Sequence, residues 1–172
     1  MRWRTDAALE FVHSDRTAEE ISPPPDLRVG HQAPSFEAKT IDGKIVHFPD
    51  DYKGKKVLLQ FWASWCSDCQ KEMPNLAANY AKFHPLGLET LGISLDKADT
   101  LNSVKEYMQS VKMTWPQVYD GKHWLASIAV LYDCRNIPGA LLIDGTTGDV
   151  LANSDDVLAA RLAPTLQKFF PK

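Results

Sequence analysis

Two cysteines separated by two residues, Cys66 and Cys69, sit in the run Phe61-Trp62-Ala63-Ser64-Trp65-Cys66-Ser67-Asp68-Cys69. The run lies where an apolar strand pattern gives way to a helical one. A cysteine at a helix amino terminus meets free amide hydrogens and the positive end of the helix dipole, both of which favour its thiolate. The second cysteine falls one turn deeper, facing the first and less exposed. Such a pair can close a disulfide or open one by exchange. In that chemistry the Cys66 thiolate attacks a foreign disulfide and Cys69 resolves the mixed disulfide. The same spacing is also half of a zinc site, but tetrahedral zinc needs two more ligands at finger-like spacing. Cys134 stands far away and alone, and His84 and His123 form no pair. The pattern therefore calls for neither a metal nor a cofactor.

The elements that must position this pair can be read on either side of it. Lys56-Val-Leu-Leu-Gln-Phe-Trp62 is an apolar run with one polar interruption, suited to a strand buried on both faces. From Ser67 to Phe83, Met73, Leu76, Ala77, Tyr80 and Phe83 recur along one helical face, with Pro74 predicted to kink it. Before the strand, Ser35 to Phe48 reads as a hairpin about Asp42-Gly43. After the helix come a strand at Leu88–Leu95, a helix at Thr100–Val111 and a short helix at Ala126–Tyr132. Strands at Ala140–Ile143 and from Val150 follow, then one last helix capped by Asp155 or Asp156 and running to Phe170. Strands alternating with helices imply an α/β domain: a central mixed sheet, helices on both faces and an N-terminal β-hairpin.

Composition narrows the rest. A chain of 172 residues with 44% hydrophobic and 24% charged residues is ordinary for a soluble globular domain. Nineteen basic against twenty-two acidic residues leave a net charge of −3, without the basic surplus of a nucleic-acid binder. Three cysteines cannot build a secreted disulfide framework. No stretch approaches the roughly 18 apolar residues of a membrane span, and Met1 to Glu20 lacks the apolar core of a signal peptide. The start is therefore that of a cytoplasmic chain or of one lacking its leader. Residues 1–26 read as a lead-in with helical character ending in the stiff spacer Ser22-Pro23-Pro24-Pro25, and residues 27–172 as the domain.

Trp-Cys-x-x-Cys after Gln60-Phe61-Trp62-Ala63, followed by Pro74, resembles the thioredoxin superfamily. More closely it resembles the extracytoplasmic branch called TlpA-like or ResA-like, which is related to the alkyl-hydroperoxide-reductase family. The resemblance spans about residues 29–171. It takes in Val29-Gly-His-Gln-Ala-Pro-Ser-Phe36, Gly92-Ile-Ser-Leu-Asp96 and Ile137-Pro-Gly-Ala-Leu-Leu-Ile-Asp144. It implies a thioredoxin-like fold, Cys66 as nucleophile, Cys69 as resolving thiol and a cis Ile137–Pro138 bond. Trp65, Ile137 and Pro138 would then meet the substrate, with Ile137 backbone groups free to pair with its chain. The resemblance further implies action on protein disulfides outside the cytoplasm, and the chain is expected to be a monomer. An upstream electron donor, such as a membrane thiol reductase, would recharge it.

Departures from the family pattern matter as much. Gln60 stands where thioredoxins carry a proton-moving aspartate, and it cannot do acid–base work. Glu72, three residues after Cys69, matches a glutamate of the ResA-like branch. It either lies partly buried below the disulfide and shuttles the Cys69 proton, or is a solvated glutamate beside Lys71. Asp68 between the cysteines either opposes the Cys66 thiolate, favouring a reducing couple, or points to water. Cys134 is either a small buried hydrophobe or a third thiol near the site. Trp62 is expected beneath the sheet, Trp65 as a shelf beside the nucleophile, and Trp115 and Trp124 in the core or at its rim, with the core preferred.

Dithiol–disulfide exchange reducing protein partners is the leading function. A thiol peroxidase of the alkyl-hydroperoxide type is the alternative reaction, but Ala63 replaces its threonine and no arginine is near in sequence. A non-enzymatic module, redox-dead or delivering copper, is the third class. Copper delivery calls for wider cysteine spacing and a supporting histidine.

Overall fold

Seven consecutive residues, Lys56–Trp62, form the central strand β3, and all but Lys56 are buried. A computed structural model describes residues 23–171, so the expected helical lead-in lies outside the described residues. Two short strands precede β3: β1 (Phe36–Lys39) and β2 (Ile45–Phe48). After it come α1 (Ser67–Phe83), β4 (Leu88–Ser94), α2 (Leu101–Ser110), β5 (Gln117–Tyr119) and α3 (Ser127–Leu131). The chain ends through β6 (Gly139–Asp144), β7 (Val150–Ala152), α4 (Ser154–Val157) and α5 (Leu162–Phe169). The main sheet runs β5-β4-β3-β6-β7. Strands β3, β4 and β5 are parallel, whereas β6 runs antiparallel to β3 and β7 antiparallel to β6.

Because strand side chains alternate, β3 serves two different cores. On one face Gln60 reaches Met73 of α1, and Trp62 rests on Tyr107 of α2 with ring centroids 5.7 Å apart. On the other, Phe61 meets Tyr132, just past α3, at 5.7 Å. Tyr132 in turn abuts Phe36, which stacks on Phe48 at 4.9 Å, and its hydroxyl donates to the Pro34 carbonyl. The hairpin thus covers the face opposite α1 and α2. Each large side chain removed from water in these layers contributes about 2 kcal/mol.

Five residues, not two, connect β1 to β2. Gly43 alone of the Asp42-Gly43 pair has positive φ, at 88°. The Thr40 hydroxyl explains the wider loop, since it bonds both the Asp42 carboxylate and the Lys44 carbonyl. The hairpin is a separate two-stranded sheet, linked to the main one by a bridge from Thr40 to Val118.

Helix α1 continues through Pro74, which lies on its exposed side. Strand β5 was not foreseen. It consists of three residues and exists through its pairing with Gly92, Ile93 and Ser94 of β4. A side chain on Gly92 would collide with the Gln117 carboxamide, which crosses that glycine to accept from Trp62 Nε1 at 2.8 Å. The single C-terminal helix expected is instead broken into α4 and α5. Asn153, rather than Asp155 or Asp156, caps α4, its side chain accepting from the Asp155 amide. The break passes through Ala159, which adopts a left-handed φ of 52°.

Candidate active site

The turn from β3 into α1 carries the cysteine pair. Cys66 is the N-cap of α1, with extended backbone, and its Sγ accepts from the Cys69 amide at 3.1 Å. One turn on, Cys69 is fully buried beside Met73. The two are joined as a disulfide, their Cα atoms 5.2 Å apart. Cys66 is less exposed than the sequence suggested, at 7%, and opens into a cleft of about 370 Å³. That cleft is walled by Trp65, Trp124, Arg135, Asn136 and Ile137, with Ser67 and Asp68 on its lip.

The turn is held from beneath by a carboxylate that sequence reasoning did not single out. Asp96, just past β4, is fully buried and accepts from the Ser64 amide, the Ser64 hydroxyl and the Ser94 hydroxyl. The opposite side of Ser64 is tied too, its carbonyl accepting from Gln70 Nε2 at 2.6 Å. The neighbouring Leu95 carbonyl takes the Trp65 indole N–H, and the Asp96 carbonyl takes the His123 amide. One short segment therefore fixes both the turn before Cys66 and the ledge beside it. No local pattern marks Asp96 as buried; only its place within the Gly92–Asp96 stretch pointed to it.

Trp65 is 49% exposed and forms that ledge, with His123 at 5.1 Å and Trp124 at 6.1 Å between ring centroids. Trp62 and Trp115 are core, as expected. Trp124 is instead exposed at the rim, where it packs edge-on against Trp65 beside the cleft. Across the cleft, the Ile137–Pro138 bond is cis, and the Ile137 carbonyl oxygen lies 3.9 Å from Cys66 Sγ. Both residues precede β6 and lie outside its ladder.

Charge at the site is mostly neutralised locally. Asp68 points to solvent and pairs with Lys71 at 2.8 Å, so its opposition to a Cys66 thiolate is screened. Arg135, distant in sequence, comes to the cleft wall, but its guanidinium is tied to Asp133 at 3.0 Å. Glu72 is half-buried, and its Oε1 accepts from the Ala159 amide at 3.0 Å and from Asn75 at 2.7 Å. It thereby clamps the left-handed break between α4 and α5 to α1. Cys134 is half-buried near the Ile137 loop, its Sγ 3.5 Å from the Asn136 carbonyl, and burial pushes its thiol up to about 11. Among the described residues no cluster of His, Cys, Asp and Glu could hold a metal, and no helix is long and apolar enough to cross a membrane.

A parallel β3–β4 core with an antiparallel β6, a helix capped by the first cysteine of a CxxC disulfide and a cis-proline loop facing it define a thioredoxin-fold protein. Within that class, residues 29–147 match the model of the AhpC/TSA family, and the chain belongs to it. It is 31% identical over 118 residues to thiol-disulfide oxidoreductase ResA of Bacillus thuringiensis subsp. konkukian, a match covering 69% of this chain and 65% of that protein. The match thus spans just under two thirds of that relative's length. Among solved structures, the thioredoxin domain of a thiol-disulfide oxidoreductase from Bacteroides vulgatus superposes with a TM-score of 0.73 at 30% identity. That superposition covers 84% of this chain and 99% of that one. A thiol:disulfide interchange protein from Bacteroides sp. gives 0.72 at 29% identity, covering 85% and 92%.

Proposed function

We propose that this chain is a thiol–disulfide oxidoreductase that reduces disulfides in protein partners. The asymmetry of the cysteine pair carries this reading, with Cys66 opening into the cleft and Cys69 sealed beneath it. The Cys66 thiolate attacks one sulfur of the substrate disulfide, breaking that bond and releasing the other sulfur as a thiolate. Cys69 then attacks Cys66 Sγ, frees the second substrate thiol and leaves the protein oxidised. Trp65 gives the incoming chain an apolar surface, and the backbone at Ile137 and Pro138 lies open for pairing with it. A thiol donor upstream returns two electrons. The family resemblance supports work outside the cytoplasm, and the chain is proposed to act as a monomer.

Exchange is favoured over peroxide reduction by the residues at the turn. Ala63 is fully buried and has no hydroxyl to offer a peroxide, and Arg135 is held by Asp133. The purified protein is expected to accelerate insulin reduction by dithiothreitol. Its potential should lie nearer the roughly −270 mV of thioredoxin than the roughly −120 mV of the strongest bacterial oxidant. A value at the oxidising end would overturn the reductase direction.

Glu72 serves the Cys69 proton in this scheme. In Glu72→Gln the amide oxygen can still accept from Ala159, so the clamp survives while the charge is lost. The Cys69 acid dissociation constant should then rise about tenfold, read by pH-dependent alkylation of the reduced protein. An unchanged constant would leave Glu72 with the clamp alone.

A further inference from the structure

Gln60 is 1% exposed at the centre of β3, and its Oε1 has no hydrogen-bond partner among the described residues. Its Nε2 points at the Met73 sulfur, 3.8 Å away. The carboxamide therefore lies beneath the face of α1 that carries Met73. Cys69, four residues earlier, shares that face and is equally buried. Beside Gln60 in the sheet stand Gly92 of β4 and Ala140 of β6, neither with a polar side chain. Gln117, which lies over Gly92, already bonds Trp62 and the Trp115 carbonyl. A buried acceptor without a donor is costly, because water satisfied it in the unfolded chain.

The two redox states treat this oxygen differently. A disulfide sulfur has no hydrogen to give. When a dithiol donor passes two electrons to the pair, the Cys66–Cys69 bond breaks, Cys69 Sγ takes a proton and the donor closes its own disulfide. Cys69 then carries a buried S–H that itself needs an acceptor. We propose that Gln60 Oε1 accepts the S–H of reduced Cys69, so that the amide stabilises the dithiol state and sets the potential of the pair. The inference rests on the thiol–disulfide reading of the site and deepens it. Gln60 moves no proton; it holds one in place.

Removing the oxygen relieves the disulfide form and deprives the dithiol form. Gln60→Leu should shift the equilibrium with a dithiothreitol buffer about tenfold toward the disulfide, which is about 30 mV more negative. Gln60→Met, which fills similar volume, should shift it in the same direction and guards against a packing defect in the leucine variant. Urea unfolding supplies the matching test. The oxidised variants should gain stability on the oxidised parent by more than the reduced variants gain on the reduced parent. An unchanged potential, a shift toward the dithiol, or equal movement of both urea midpoints would overturn the proposal. Failure to reduce insulin would instead refute the oxidoreductase reading, while an unchanged potential in a chain that reduces insulin refutes only the role of Gln60.

Discussion

Cys66→Ser is expected to abolish catalysed insulin reduction, and Cys69→Ser to stop it after a single attack. The two substitutions differ because the structure gives the two sulfurs different access. Cys66 is the N-cap, with a route to the cleft, and the dipole and amides of α1 favour its charge. Without it the pair offers no sulfur that a protein disulfide can reach, because Cys69 is fully buried within α1, and the half-buried Cys134 is seldom ionised. Without Cys69, Cys66 still attacks, but nothing displaces the substrate from it. Cys69→Ser should therefore accumulate a covalent mixed disulfide, visible as a mass increase that dithiothreitol removes. Equal activity in both variants, or no adduct with Cys69→Ser, would remove the exchange mechanism.

The second large effect concerns the carboxylate under the turn. Asp96→Ala leaves the Ser64 amide and the hydroxyls of Ser64 and Ser94 without their acceptor in a buried setting. Hydrogen bonds to a charged group contribute roughly 1.5–3 kcal/mol each, and orphaned buried donors add their own cost. A loss of about 3 kcal/mol in urea unfolding is expected, even after the serine hydroxyls find other partners. Asp96→Asn keeps one acceptor oxygen and should lose about half as much. The rate of insulin reduction should fall with stability, by at least about tenfold in Asp96→Ala, since the Ser64 turn orients Cys66. Ser64→Ala, which removes one donor along with its acceptor bond, should cost least of the three. An Asp96→Ala protein as stable and active as its parent would show that Gln70 alone holds the turn.

Where local chemistry dictated structure, the sequence was readable. The buried run Lys56–Trp62 and the helix Ser67–Phe83 were expected with the boundaries they have, because an apolar run and a 3.6-residue face leave few alternatives. Strand β5 escaped because three residues after Trp115-Pro116 carry no periodicity; pairing with β4 alone makes them a strand. The break at Ala159 escaped because a left-handed alanine has no sequence signature, unlike a glycine, and is held from outside by Glu72 and Asn75. At the site, spacing revealed the cysteines but not their supports. Asp96, Arg135 and Trp124 reach the turn or the cleft across 30, 69 and 58 residues of chain from Cys66, a proximity that only the folded sheet creates.

The third cysteine has a consequence for how the protein exchanges electrons with its surroundings. With its thiol pushed up to about 11, Cys134 is ionised in about one molecule in ten thousand at neutral pH. A sulfur so seldom charged is a poor competitor for the active pair and a poor target for oxidants. The chain has three cysteines, yet with Cys134 so seldom ionised it is expected to titrate as a single two-electron couple. Its response to a thiol buffer should follow one Nernst curve, with no side branch through a scrambled disulfide.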